Sequence, residues 1–388
     1  MTPPADCQLD VIVPVYNQRL LVESCLASVL ASKNAVAFEL VVVDDASTDR
    51  ELRASLAKLA EAGKIRLLTN AENLGFTKSV NRGMQLHPER DVLLLNSDTV
   101  VHGNWLDRLR EAAYSDPRVG TVNPLTNASH IGCYPFRQAN GHVTFEISDE
   151  QLDALAARTN RARRVMVHTT VGFCLYIRRA LLHAIGYFDA VHFPFGYGEE
   201  SDFCYRARKL GWRHLVTGDV FVRHWEGQSF GERKARLVNE MISVFTKLHP
   251  DLPANDRNFA RRDPIGPLRE ALDLARARLL LAGATVMRCY SENDSNNGPV
   301  TTPALLFDFD TGTARITAPG IDTLPNLPTH ALPIEIAAFN TTLMRLGINK
   351  LSFAETCLAE SFAARVRGRT MELGVSVEFS VIDGSQRP

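Results

Sequence analysis

The chain has 388 residues, and single hydrophobic cores stop growing beyond roughly 250–300 residues, so its length predicts two domains. Its 43 basic and 44 acidic side chains almost cancel, which argues against nucleic acid as a partner, since non-specific binding to nucleic acid needs a positive field. The seven scattered cysteines form no CxxC pair, so neither a disulfide framework nor a zinc knuckle is expected.

From Leu9 to about Thr217, short apolar runs alternate with segments of helical spacing, as in a parallel sheet with helices on its faces. β-branched and leucine-rich runs predict strands at 9–15, 38–44, 65–69, 91–96, 119–123, 165–168, 171–177 and 214–218. Apolar spacing predicts helices at 20–31, 77–86 and 105–114, near Arg179, at 201–210 and at 232–248. The fold class expected for this domain is therefore α/β.

A proline-bearing segment at 251–267 predicts a linker between a domain at 1–250 and a smaller α/β domain at 268–388. In the smaller domain, helices are expected at 268–281 and 334–346, and strands at 285–290, 305–310 and 375–383. No signal peptide and no run of about 18 apolar residues is found, so a cytoplasmic protein is expected.

Acidic residues follow two of the predicted strands. Asp44 and Asp45 close the second strand and Asp98 closes the fourth, and open α/β sheets bind ligands at the carboxyl ends of their strands. The pair in VVVDDASTD can accept hydrogen bonds from a nucleobase or ribose. An alternative is that Asp45 caps the next helix.

The triplet Asn96-Ser97-Asp98 ends a very apolar strand and can hold a divalent ion. Mg²⁺ needs only one or two protein carboxylates, because it takes its other ligands from water and substrate phosphates. The alternative is an ordinary turn.

Three carboxylates, Glu199, Glu200 and Asp202, stand at the start of a predicted helix. They could simply complement the helix dipole. Crowding of like charges also raises the pKa of one carboxyl toward the range of a general base. His224 is a candidate metal ligand, with packing against Trp225 as the alternative.

Seven segments in this order resemble the inverting family-2 glycosyltransferases, in particular their rhamnosyltransferase-like branch. They are VIVPVYNQ, VVVDDASTD, NLGFTKSVNRG, LLLNSDTVVHGNWL, VGFCLYIRR, GYGEESDFCYRARKLGW and HWEGQSF. Any one of them is a weak signal, whereas seven in register are a strong one. The resemblance implies the GT-A fold, a mixed and mostly parallel sheet with helices on both faces.

Residue by residue, the resemblance implies a donor site, a metal site and a catalytic base. The nucleobase site would include Pro14, Tyr16 and Asp45, with Asp44 close by, and Asn73, Gly75 and Asn81 would shape the wall near the ribose and diphosphate. Asp98 would bind Mg²⁺ or Mn²⁺ beside Asn96 and Ser97, His224 would approach the same metal, and Glu200 would be the base, flanked by Glu199 and Asp202. Asn96 replaces the first acid of the family's DxD motif, which affects metal affinity and metal choice.

The resemblance also implies the partners. A sugar would pass from a nucleoside diphosphate donor, dTDP-rhamnose or else a UDP-hexose, to a glycan or lipid-linked glycan in cell-surface polysaccharide synthesis. Contact with a membrane would be peripheral at most, at its inner face. The segment Gly172-Phe173-Cys174 either faces the acceptor or is a buried strand, and Arg158, Arg161, Arg163 and Arg164 either contact an anionic surface or form a solvated helix face.

The smaller domain faintly resembles the amino-terminal half-domain of family-4, GT-B glycosyltransferases, through LPNLP and GVSVEFSVIDG. Since that family's nucleotide-binding half has no counterpart in this sequence, a truncated Rossmann-like half-domain is expected, with docking or homo-oligomerisation as its role. The rival function is a non-catalytic nucleotide-sugar-binding or scaffolding protein. A dinucleotide-dependent oxidoreductase is disfavoured because no GxGxxG follows the first strand.

Overall fold

The structure is a computed structural model that describes residues 8–137, 139–140, 143–194, 196–225, 233–250, 259, 261–281, 284, 286–291, 304–308, 313–317, 324, 326–331, 335–353 and 376–379. The chain divides into two compact units, Met1–Ile265 and Gly266–Pro388. Among the described residues, no helix is both long enough and apolar enough to cross a membrane.

The strands of the first unit are β1 (Leu9–Val15), β2 (Phe38–Asp44), β3 (Arg66–Thr69), β4 (Asp91–Leu95), β5 (Thr99–Val100), β6 (Val119–Thr126), β7 (Ala128–Ser129), β8 (Ala139–Asn140), β9 (Arg164–Val167), β10 (Cys174–Ile177) and β11 (Arg213–His224). Its helices are α1 (Arg19–Ala31), α2 (Arg50–Glu61), α3 (Phe76–Met84), α4 (Trp105–Ala113), α5 (Asp149–Thr159), α6 (Arg179–Ile185), α7 (Glu199–Lys209) and α8 (Arg233–Leu248).

Nine of these strands form one sheet in the order β3-β2-β1-β4-β10-β6-β11-β5, with β9 paired to β11. The pairs β1–β2, β1–β4, β2–β3 and β6–β11 are parallel, whereas β10, β5 and β9 run antiparallel to their neighbours. The expectation of a mixed, mostly parallel sheet is thus confirmed. Because β10 is reversed, its start lies at the same edge as the ends of β4 and β6.

Helices cover both faces of the sheet, because successive strand residues point to opposite sides. Val11 and Val13 of β1 belong to one buried cluster with α1 and α4, and Ile12 belongs to a second with α3, α6 and α7. This is the physical reason why β1 reads as one continuous apolar run in the sequence.

Two helices were not expected from the sequence, and both begin at a capping side chain. Asp49 accepts hydrogen bonds from the amides of Glu51 and Leu52 at the start of α2. Ser148 forms a capping box with Gln151 at the start of α5. Such caps satisfy amides that have no partner within the helix.

The arginine run does not form one helix face, contrary to that expectation. Arg158 is exposed in the last turn of α5, whereas Arg164 lies in β9, where its guanidinium pairs with Glu111 at 3.0 Å.

Within its described residues, the second unit contains a six-stranded sheet and two helices. Its strands are β12 (Val286–Ser291), β13 (Ala304–Asp308), β14 (Thr313–Thr317), β15 (Thr329–Ala331), β16 (Lys350–Phe353) and β17 (Ser376–Phe379), and its helices are α9 (Gly266–Leu280) and α10 (Ile336–Leu346). The order is β15-β14-β13-β12-β16-β17, with β14 and β15 antiparallel to their neighbours. The sequence did not indicate β14 and β15, while most of the predicted linker, 251–258, lies outside the described residues.

Candidate active site

Most of the predicted site residues come together at one edge of the large sheet. The carboxyl ends of β1, β2, β4, β6 and β11 and the start of the reversed β10 all lie there. This edge carries Tyr16, Asp44, Asp98 and His224. Ligands bind at this edge in open α/β sheets, because several loops converge there.

The Asp45 carboxylate organises the loop before α3. Its Oδ1 accepts hydrogen bonds from Asn70 Nδ2 at 2.6 Å and from the Leu74 amide at 2.8 Å, and its Oδ2 accepts one from the Gly75 amide at 2.9 Å. Asp45 therefore does not cap α2, a role that belongs to Asp49. These contacts direct the carboxylate to protein donors, and its expected contact with a nucleobase stays a prediction.

Asp44 ends β2 and is almost completely buried, with its Oδ1 accepting from the Ser47 amide at 3.0 Å. A cavity of about 400 Å³ opens beside it, lined also by Arg50, Arg53, Ala54, Leu56, Ala57, Leu67 and Thr69. Cavities of a few hundred Å³ accommodate small-molecule ligands. The cavity and the acid lie next to the edge where a nucleotide is expected.

The other residues expected at the donor site differ in their surroundings. Tyr16 is 48% exposed and Asn73 is also exposed, while Pro14 is half-buried in β1. Asn81 is different, because its side-chain amide donates to the Phe188 carbonyl at 2.8 Å and accepts from the Phe188 amide at 3.2 Å. These contacts attach α3 to the segment before α7, and the expected place of Asn81 in the donor wall stays a prediction.

The Asn96-Ser97-Asp98 segment forms a tight connection between β4 and β5. The Asn96 amide donates to the Phe173 carbonyl at 2.8 Å, and the Asn96 carbonyl accepts from Thr99 Oγ1 at 2.8 Å. Asp98 follows with its carboxylate partly exposed. The triplet is thus a turn, as the alternative proposed, but one that presents a carboxylate at the edge of the sheet.

His224 is the last residue of β11, next to this turn. Its Nε2 lies 3.3 Å from Asp98 Oδ1, and its Nδ1 lies 3.0 Å from the Ala128 carbonyl. A carbonyl only accepts, so Nδ1 carries a proton, and Nε2 of the neutral ring is an acceptor facing the Asp98 carboxylate. Two acceptors at this distance need a cation between them, which is either a second proton on the ring or a metal ion.

The donor set fits a divalent metal. A carboxylate oxygen and an imidazole nitrogen, with the other ring nitrogen bonded to a backbone carbonyl, form a common arrangement at metal sites. Packing also orients the ring, which stacks on Phe173 with centroids 5.2 Å apart. Phe173 and Cys174 are buried, so that part of the segment is core, while Gly172 is half-buried.

Another acidic cluster, at the opposite edge of the sheet, has a different explanation. Potential ligand atoms of Asp10, Glu39 and His87 lie within 4.8 Å of one another. However, Arg90 Nη1 stands 2.9 Å from Asp10 Oδ1 and 2.7 Å from Glu39 Oε2. The guanidinium supplies the positive charge, so this is an ion-pair network at the amino ends of β1 and β2.

Glu199 and Glu200 begin α7, and the residue before them must be glycine. Gly198 has φ +135°, and a Cβ there would lie 2.8 Å from Phe193 Cε1. Burial and then the neighbouring Glu200 carboxylate raise the pKa of Glu199 well above its usual range. The raised pKa favours the protonated form of Glu199, which leaves Glu200 as the candidate base.

Asp202 lies one turn further along α7 and has protein partners on both oxygens. Arg206 Nε donates to its Oδ2 at 2.8 Å, and His249 Nε2 stands 2.8 Å from its Oδ1. Through these contacts Asp202 attaches residue 249 to α7, and its expected place in the catalytic group stays a prediction.

Sequence reasoning missed Asn70 and Asn127, both of which directly follow strands at the carboxyl edge. Asn70 bonds to Asp45, and the Asn127 side chain bonds to the backbone of His224. A polar residue directly after a buried strand was the available signal. Residues 226–230 of the HWEGQSF segment lie outside the described residues.

Comparison with known proteins agrees with this geometry. Residues 10–186 match the sequence model of glycosyl transferase family 2. An N-acetylglucosaminyl-diphospho-decaprenol L-rhamnosyltransferase of Mycobacterium tuberculosis is 27% identical over 249 residues, which are 58% of this chain and 79% of the relative. An N-acetylglucosaminyltransferase of Bradyrhizobium elkanii is 31% identical over 116 residues, covering 29% of this chain and 63% of the relative.

Among solved structures, the mannosyltransferase PcManGT from Pyrobaculum calidifontis, in complex with GDP-Man and Mn²⁺, has a TM-score of 0.44 and 20% identity, covering 70% of this chain and 71% of that chain. This similarity carries no weight at a TM-score of 0.44. The glycosyltransferase identity of the first unit depends on the family match and on the arrangement of its sheet. Residues 10–186, a little under half of the chain, are thus similar to glycosyl transferase family 2, and this match and the mixed, mostly parallel sheet identify the first unit as a glycosyltransferase domain of the GT-A type.

Proposed function

We propose that the first unit transfers a sugar from a nucleoside diphosphate donor to a glycan hydroxyl with inversion of the anomeric centre. Glu200 is the base, and Asp98 and His224 hold a divalent metal. The observation that carries this proposal is the 3.3 Å approach of His224 Nε2 to Asp98 Oδ1 at the carboxyl edge of the sheet. When bound there, Mg²⁺ or Mn²⁺ would act as a Lewis acid on the donor diphosphate.

The protein's own groups account for the proton. As the acceptor oxygen forms its bond to the anomeric carbon, the bond from that carbon to the diphosphate oxygen breaks, and the acceptor proton passes to Glu200. Glu200 suits this role better than Glu199, whose pKa is raised by burial and by the adjacent Glu200 carboxylate. A base must be ionised before the reaction, and the raised pKa disfavours the ionised form of Glu199.

The donor side is assigned to the loops that follow β1, β2 and β3. Pro14, Tyr16 and Asp44 would contact the nucleobase, while Asn73, Gly75, Asn96 and Ser97 would adjoin the ribose and diphosphate. Asp45 supports this wall from behind, through its bonds to the Leu74 and Gly75 amides. Asp45 thus contributes to donor binding by shaping the loop.

The substrates are proposed from the relatives. The name of the mycobacterial relative describes rhamnosyl transfer to a lipid-linked sugar diphosphate. By analogy, this chain would use dTDP-rhamnose, with UDP-hexoses as alternatives, and a lipid-linked glycan as acceptor. Such an acceptor implies work at the cytoplasmic face of a membrane through peripheral contact. The domain from residue 268 onward would serve docking or dimerisation.

A donor screen tests the proposal. Binding and hydrolysis of dTDP-rhamnose, UDP-glucose, UDP-galactose, UDP-N-acetylglucosamine and GDP-mannose would be measured with MgCl₂, MnCl₂ or EDTA. We expect one donor to be selected, and EDTA to abolish its hydrolysis. Asp98→Ala should lose the metal-dependent hydrolysis, and Asp116→Ala, at a half-buried acid outside the site, should keep it.

Two outcomes would contradict the proposal. Donor turnover that is equal with Mn²⁺ and with EDTA would remove the metal from the mechanism. Binding of no donor under any condition would favour the rival function, a protein that no longer catalyses transfer.

A further inference from the structure

Asn127 lies directly behind His224 and is fully buried. Its Nδ2 donates to the His224 carbonyl at 2.9 Å, and its Oδ1 accepts from the His224 amide at 2.8 Å. One side chain thus bonds both backbone polar groups of the proposed metal ligand. A side-chain amide is suited to this because it carries a donor and an acceptor side by side.

These bonds act where the strand ladder ends. The parallel pairing of β6 with β11 is last seen between Thr126 and Val222. Asn127 follows Thr126, and its amide reaches the backbone two residues beyond Val222. The next residue, Ala128, supplies the carbonyl that lies 3.0 Å from His224 Nδ1. Consecutive residues therefore fix first the backbone and then the ring of His224.

The Asp98 side of the pair is fixed independently. His224 is the antiparallel partner of Thr99, and the Trp225 amide donates to the Asp98 carbonyl at 2.9 Å. The residues beside Asp98 are thus paired with the end of β11. β11 lies between β5 and β6 in the sheet. The β5 pairing holds the His224 backbone on one side, and the Asn127 amide, which follows β6, holds it on the other.

We propose that Asn127 is a positioning residue that holds His224 Nε2 in place for a divalent cation. This inference rests on the proposed function, because it concerns the metal site assigned there. The Asn127 side chain bonds the backbone of the ligand at both polar groups, so it acts on the metal site through His224. Residues that orient metal ligands typically change metal affinity 10–100-fold when they are removed.

The test is a titration of the full chain with MnCl₂ alone, in which Mn²⁺ binding is measured through the relaxation rate of water protons. We expect Asn127→Ala to bind Mn²⁺ about 10–100-fold more weakly than the wild type, and His224→Ala to lose specific binding. Asn34→Ala is the control, because the Asn34 side chain also accepts from a backbone amide, that of Leu106, and donates to Ser32 Oγ, outside the proposed site. It should lower the melting temperature similarly and leave the Mn²⁺ affinity unchanged.

Wild-type affinity in folded Asn127→Ala would overturn the inference while leaving the metal site intact. Absence of Mn²⁺ binding in the wild type would overturn both the metal site and the role of Asn127. If Mn²⁺ binds the wild type and Asn127→Ala equally and is lost in His224→Ala, the metal site stands and the role of Asn127 does not. If Asn127→Ala does not fold, Asn127→Asp keeps the side-chain shape. Asn127→Asp removes the hydrogen-bond donor to the His224 carbonyl, so we expect it to bind Mn²⁺ more weakly. If only the added negative charge mattered, Mn²⁺ would bind more tightly, and that result would count against the inference.

Discussion

Replacing Asp45 by asparagine should destabilise the first unit, although the shape of the side chain barely changes. The carboxylate accepts three hydrogen bonds, from Asn70 Nδ2 and from the amides of Leu74 and Gly75. If the asparagine oxygen takes the place of Oδ1, its amide nitrogen faces the Gly75 N–H. That bond is lost, because two donors then oppose each other, and the other two bonds lose their charge assistance.

The magnitude follows from these three bonds. Hydrogen bonds to charged groups contribute about 1.5–3 kcal/mol each, and neutral ones about 0.5–1.5 kcal/mol. The loss of one hydrogen bond to the charged carboxylate and the conversion of two others to neutral bonds lower the free energy of unfolding by about 4 kcal/mol. Part of this loss is offset, because a neutral amide costs less to bury than a carboxylate. We expect the free energy of unfolding to fall by about 2–4 kcal/mol.

Urea denaturation of Asp45→Asn and Asp44→Asn gives the comparison. Asp44 is equally buried, but its Oδ1 bond to the Ser47 amide can be kept by an asparagine oxygen, so its loss of stability should be much smaller. Donor binding is measured on both variants. If Asp45→Asn is as stable as Asp44→Asn and yet loses donor binding, Asp45 contacts the ligand directly, and the reasoning from the loop is refuted.

Three further outcomes are expected. Glu200→Gln should lower turnover by about 10²–10⁴-fold with donor affinity retained, and unchanged turnover would exclude Glu200 as the base. Glu199→Gln should keep most of the activity, because the amide mimics the protonated carboxyl that burial and Glu200 favour, and a loss equal to that of Glu200→Gln would contradict this protonation state. Burial lowers the pKa of His214 to about 4 from 6.5. The unfolded chain takes up a proton on His214 at a higher pH than the folded chain does. The contribution of His214 to the free energy of unfolding should therefore be constant above about pH 6.5 and should fall by about 3 kcal/mol between pH 6.5 and 4. An unchanged pH dependence in His214→Gln would assign that loss to other groups.

The sequence was sufficient to predict most of the strands and the family, for a physical reason. A strand buried on both faces must be apolar throughout, so β1, β2 and β4 are visible as runs, and the residues after them fall at one edge of the sheet. Asp44 and Asp98 could therefore be selected from position alone, whereas the roles of Glu200 and His224 were predicted from the family resemblance. Helices α2 and α5 were missed, because a polar helix with its cap gives only a weak apolar pattern.

Only the tertiary structure decided which of these polar residues bond to protein and which face outward. Asp45, Asn81 and Asp202 belong to motifs that suggest ligand contact, yet each carries hydrogen bonds to residues far away in the chain or one turn along its helix. Conversely, nothing in the sequence pairs Asn127 with His224, which is 97 residues away. A motif specifies which donors and acceptors are present, but their partners depend on how the β6, β10 and β11 ends are brought together by the sheet.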